Sequence, residues 1–139
     1  MKPDGALRFY KRREYLLLGV LADAIIPRTE TPGAADVGVP AYLDVMMDTW
    51  ASDATKSEHR AALKAIRDAL GADILSLPDE ERRAAVASLD ARVYGGSEDA
   101  DNLFGRYRAV KSLIASVYYA SEPGATQELQ YELVPGRWD

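Results

Sequence analysis

Through the first 120 residues apolar side chains return every three or four positions, and nowhere in that stretch do they alternate with polar ones. That spacing lines them along one face of a helix, whereas a half-buried strand needs a period of two. A chain patterned this way has to fold as packed helices. The first stripe, Tyr10, Leu17, Leu18, Leu21, Ala24 and Ile25, predicts a helix from Phe9 to Ile26. Pro27 ends it, because the residue before a proline is pushed out of the helical region.

A connection of about a dozen residues follows, Pro27 to Val39, with no periodicity and four Pro or Gly. Unstructured loops of that length are uncommon in compact domains and are often functional. Pro40 suits the first turn of a second helix, where its missing N–H costs nothing, with Tyr42, Leu43, Met46, Met47 and Trp50 as its apolar face. A third helix is expected behind a Thr55/Glu58 capping box, carries Ala61, Ala62, Ala65, Ile66 and Leu70, and stops at Gly71. In the fourth, Pro78 precedes Asp79, Glu80 and Glu81, three carboxylates at the positive end of the helix dipole, and Ala84, Ala85, Val86 and Leu89 continue the stripe. After a turn at Gly95-Gly96, Ser97 or Asp99 can cap a fifth helix carrying Leu103, Phe104, Tyr107, Val110, Leu113, Ile114, Val117 and Tyr118.

The fold class is therefore all-α: one bundle of about five helices over residues 1–120, extended by an arm over 121–139. In the arm Leu129, Tyr131 and Leu133 alternate with Glu128, Gln130 and Glu132 between Pro-Gly turns, which is the period of a strand. A lone strand has no ladder partner. It is completed by a partner's sheet edge or groove, or by folding back over its own helices.

The chain has 139 residues, enough for one core. No run is apolar for the roughly 20 residues a membrane-spanning helix needs. Lys11-Arg12-Arg13-Glu14-Tyr15-Leu16 resembles a twin-arginine signal, and Ala22-Asp23-Ala24 a cleavage site. The helical period runs through both, and the apolar run between them is short for a secretory signal. Seventeen basic against 22 acidic side chains, a net charge of -5, argue against a nucleic-acid partner. With no cysteine, disulfides, thiolate metal sites and Cys nucleophiles are excluded. His59, the only histidine, reads as a solvated residue in the polar first turn of the third helix. Asp44 and Asp48, four apart, could share a proton or hold a cation, but a solvated acidic face is the simpler reading. No glycine-rich nucleotide loop and no Gly-x-Ser-x-Gly elbow is present. These readings leave no catalytic, cofactor-binding or metal-ligating residue to name, and elimination favours a binding or structural component.

Leu21-Ala22-Asp23-Ala24-Ile25-Ile26-Pro27-Arg28-Thr29-Glu30-Thr31-Pro32-Gly33-Ala34, then Val37-Gly38-Val39-Pro40, form one recognisable block. Tyr118-Tyr119-Ala120-Ser121-Glu122, Gly124-Ala125-Thr126, Tyr131 and Val134-Pro135-Gly136-Arg137 form another. On these blocks the chain resembles the gluconate 2-dehydrogenase subunit 3 family, the small or gamma subunits of flavin-dependent sugar and alcohol dehydrogenases. The resemblance implies a non-catalytic companion of a large subunit of the glucose–methanol–choline (GMC) oxidoreductase type. That large subunit would hold FAD and oxidise CH–OH groups, while the small one serves its stability, maturation and export in a chaperone-like way. A cytochrome c subunit accepts the electrons in some such complexes. Relatives commonly begin with a complete twin-arginine signal, which implies the periplasm; a member working without export would stay in the cytoplasm. Relatives also often continue to a cysteine beyond the Pro-Gly-Arg segment.

The loop and the arm are the expected partner-binding surfaces, and the residues expected to make contact are Ile26, Pro27, Arg28, Thr29, Thr31, Pro32, Tyr119, Glu122, Gln127, Tyr131, Pro135, Arg137 and Trp138. The competing reading from another class is a stand-alone helical adaptor using the same surfaces.

Overall fold

The computed structural model describes residues 7–95 and 103–121. These form five α-helices: α1 (Arg12–Ile25), α2 (Val39–Thr49), α3 (Asp53–Leu70), α4 (Asp79–Tyr94) and α5 (Leu103–Ala120), with a single 3-10 turn at Ile74–Ser76 before α4. No strand occurs among the described residues. The expected strand at 129–133, the caps Ser97 and Asp99, and the turn residue Gly96 lie outside them.

Each boundary has a local cause. At the start of α1 the Glu14 carboxylate accepts from the Lys11 N–H at 2.8 Å, satisfying a donor the helix cannot reach. At its end Ile26, beside Pro27, leaves helical geometry. Gly38 turns the chain into α2 with φ +82°, a left-handed conformation that glycine adopts without a Cβ penalty, and Pro40 sits in the first turn. Gly71, at φ +108°, closes α3.

The most extensive packing is of α3 on α5 and of α1 on α4, with α2 bridging α1 and α5. Leu17, Leu18, Leu21, Leu43, Leu63, Ile66, Ile74 and Ile114 are fully buried at the shared centre, with Tyr107 and Tyr118 from α5 among them. Burying one such aliphatic side chain contributes roughly 1.5–3 kcal/mol, so this cluster is the main source of stability. Between α4 and α5 the buried Tyr107 hydroxyl donates to Asp90 at 2.9 Å, and Lys111 reaches the same oxygen at 2.7 Å. Burial, reinforced by the Asp90 carboxylate, raises the Tyr107 phenol pKa, so it stays a donor.

Four expectations are corrected. First, α1 starts at Arg12, and Phe9 and Tyr10 are buried in the segment before it, whose N–H groups are engaged elsewhere. Second, α3 starts earlier than a Thr55 cap would place it. Ser52 Oγ accepts from the Thr55 N–H at 3.1 Å, and Glu58 pairs with Arg106 on α5 at 3.0 Å instead of completing a capping box. Third, Tyr42 and Trp50 do not belong to the buried face of α2, since Tyr42 is 61% and Trp50 82% exposed. Fourth, neither His59 nor Asp44 is solvated: both are buried.

Candidate partner-docking surface

The Pro27 to Val39 connection is tied down from several sides. Asp36 accepts from the Gly33 N–H at 2.9 Å and holds the Arg28 guanidinium through Nε and Nη2, both at 3.1 Å. The Gly33 N–H first, then Arg28, holds the Asp36 carboxyl below the usual carboxylate range. The Ala34 N–H donates to the Ile26 carbonyl at 2.8 Å and closes the base of the loop, while the Ala34 methyl is fully buried beneath it. At Gly33 the backbone approaches so closely that a Cβ would lie 2.6 Å from both the Arg28 nitrogen and the Ile26 carbonyl oxygen. Only glycine fits there.

From α5 the Tyr118 hydroxyl donates to the Pro32 carbonyl at 2.8 Å, pinning the loop to the end of the last helix. The Tyr119 ring meets Tyr118 edge-on at 5.4 Å between centroids. One end of the bundle thus gathers Ile26, Pro27, Arg28, Thr29, Thr31 and Pro32 from the loop and Tyr119 from α5. Pro27, Arg28, Thr29, Pro32 and Tyr119 face solvent, while Ile26 and Thr31 are half-buried. Glu122, Gln127, Tyr131, Pro135, Arg137 and Trp138 lie outside the described residues.

The loop runs directly into α2, whose outward side carries Tyr42, Val45 and, just past the helix end, Trp50. Tyr42 and Trp50 were missed as contact residues because their spacing fits a core stripe equally well. The signal that could separate the two readings is that Leu43 and Met47 already supply a buried face, leaving Tyr42 and Val45 on another side. Exposed aromatic side chains are a feature of partner surfaces.

Asp44 and His59 serve the interior. The Asp44 carboxylate accepts three backbone N–H groups from the segment before α1: Arg8 at 2.8 Å, Phe9 at 2.9 Å and Tyr10 at 2.9 Å. His59 Nε2 shares a 2.8 Å hydrogen bond with the Tyr10 hydroxyl. Burial lowers the His59 pKa, keeping the ring neutral, and burial raises the Tyr10 phenol, with the Asp44 charge adding to it. Arg60 completes the strap: it donates to the Phe9 carbonyl and to Glu14, each at 2.6 Å, and lies over the Phe9 ring at 4.1 Å. With Asp44 buried and Asp48 exposed, the two carboxylates share no site. No group of three or more His, Asp or Glu side chains able to hold a metal ion occurs among the described residues.

The sequence model of the family described as gluconate 2-dehydrogenase subunit 3 matches residues 12–136. The chain belongs to that family. The match spans α1 to α5, the first block of residues on which the resemblance rests, and the second block as far as Gly136. Membership places the chain, by the family's name, among the subunits of a multi-subunit dehydrogenase. No curated protein and no solved structure matches it significantly. None of the described helices is long and apolar enough to cross a membrane.

Proposed function

We propose that this subunit-3 family member is a non-catalytic small subunit that docks on an FAD-bearing large subunit of GMC type and stabilises it. In this reading the large subunit oxidises a CH–OH group of a sugar, alcohol or glycoside and keeps the flavin wholly within its own fold. A cytochrome c subunit takes the electrons where the assembly carries one, and the complex works in the periplasm after export of the folded pair.

The observation that supports this reading best is the loop that Asp36, Gly33 and Tyr118 hold in one shape and that runs into α2, where Tyr42 is exposed near its start and Trp50 past its far end. A segment already ordered before docking loses little entropy on binding, so its contacts are retained as affinity. Exposed aromatics supply the apolar contact that an obligate interface of roughly 2,000 Å² or more requires. The chain's own polar interior points the same way, since Asp44 and His59 are occupied by internal hydrogen bonds.

Co-expression with a GMC-type flavoprotein tests it. Affinity-purified small subunit is expected to carry flavin absorbance with it, and a Tyr42→Asp, Trp50→Asp double variant to lose that flavin while melting at an unchanged temperature. Equal flavin recovery with both chains would refute docking through this face.

A further inference from the structure

Although the chain carries a net charge of -5, its cations are unevenly placed. A groove of about 350 Å³ between α1 and α3 is lined by Lys11, Arg13, Arg60, Lys64 and Arg67, with Glu14 as its one carboxylate. We infer that this groove docks an acidic polypeptide segment, independently of the loop and α2 surface.

Three observations carry the inference. Arg60, Lys64 and Arg67 stand at i, i+4 and i+7, so one face of α3 presents a row of positive charge about 10 Å long. Across the groove lies the first turn of α1, with Lys11 and Arg13 beside the positive end of that helix's dipole. Finally, the charge is only partly neutralised from within. Arg60 pairs with Glu14 and Lys64 with Asp68, whereas Lys11, Arg13 and Arg67 have no carboxylate partner among the described residues.

The shape decides the class of ligand. The cations are strung along the groove instead of converging on a point, and between them lie Ala61 and the aliphatic stems of the lysines and arginines. Such a lining suits carboxylates interspersed with aliphatic side chains, as in an acidic peptide, better than one compact anion. The groove also lies at the opposite end of α1 from the Pro27 loop, about 20 Å along the helix axis.

The test uses the full chain and a fluorescently labelled Glu-rich decapeptide with a central Leu, followed by anisotropy. The expected results are binding, no binding of the same peptide with Gln in place of each Glu, and an affinity loss of roughly tenfold or more for an Arg13→Glu, Arg67→Glu variant. Arg108→Glu, a charge reversal outside the groove, is expected to leave binding within about twofold of an unaltered chain after allowance for net charge. The unaltered chain should also lose at least roughly tenfold in affinity between about 50 and about 500 mM salt, a readout independent of any variant's folding. The inference is overturned if the Gln peptide binds equally, if salt has no effect, if Arg108→Glu weakens binding as much as the groove variant, or if inorganic phosphate competes as well as unlabelled peptide. The last outcome would mark a site for any small anion.

Discussion

Replacing Asp44 by alanine should cost more than any other change of a single polar side chain in the described fold. Its carboxylate collects the N–H groups of Arg8, Phe9 and Tyr10, and two of those three hydrogen bonds are buried. Without it, the two buried donors have no acceptor in place, and each orphaned donor costs about 1–3 kcal/mol. The bond from Arg8, partly open to solvent, is largely replaced by water. The sum is about 2–6 kcal/mol, against a total stability of about 5–15 kcal/mol for a domain of this kind. Asp44→Asn keeps an oxygen for Phe9 and Tyr10 but removes the charge and one acceptor, so its cost should be about 1–2 kcal/mol. Urea denaturation at neutral pH gives both values, and amide exchange at Phe9 and Tyr10 should quicken in the alanine variant before exchange in α3 does. Should Asp44→Ala stay within about 0.5 kcal/mol of the unaltered chain, as an unremarkable surface substitution would, the strap has no energetic role. Equal losses for Asn and Ala would show that the acceptor geometry is not what matters.

Four further outcomes follow from the same geometry. Because burial holds His59 below its ordinary value of 6.5, the unfolded chain takes up this proton before the folded one does; stability should therefore fall as pH drops below about 6.5, and His59→Gln should remove that slope in pH-dependent melting curves. Asp36 acts in another window: its lowered pKa contributes stability above its ordinary 3.8 that is lost as pH falls through the folded value, so Asp36→Asn should flatten only the acid end of the curve. Gly33→Ala would force a methyl within 2.6 Å of backbone atoms that cannot yield without opening the loop, and should cost about 1–3 kcal/mol by thermal melting and abolish recovery of a flavoprotein partner. Deleting residues 121–139 should lower the yield and flavin content of a co-expressed large subunit; unchanged values would show that the arm has no part in docking.

The helices were legible because their determinants are local: the three-and-four spacing, Pro27 before the loop, Gly71 after α3 and the carboxylates opening α4 all act within a turn or two. Two of the four misreadings involve the segment before α1, which has no period and folds back on side chains far along the chain. Tyr10 finds Asp44 and His59 across 34 and 49 residues. Nothing local to a histidine beside Glu58 announces that a tyrosine hydroxyl will cover it. Asp44 did leave a trace, standing between Leu43 and Met47 in what proves to be a buried arc, where a charged residue needs internal donors. The candidate surface was half legible. Prolines and glycines marked the loop, but the bond from Tyr118 to Pro32 that fixes it spans 86 residues. Tyr42 and Trp50 were misplaced because periodicity tells which side chains share a face, not whether another element arrives to cover it.

The central claim is that this family member acts by docking a preformed loop and the outward face of α2 on a larger chain. Hydrogen exchange of the subunit, free and within its purified flavoprotein complex, measures that most directly. The account predicts slower exchange on assembly across residues 27–38 and along α2 from Tyr42 to Trp50, with the centre of α4 unchanged. Protection confined to α4, or none at the loop and α2, would contradict it.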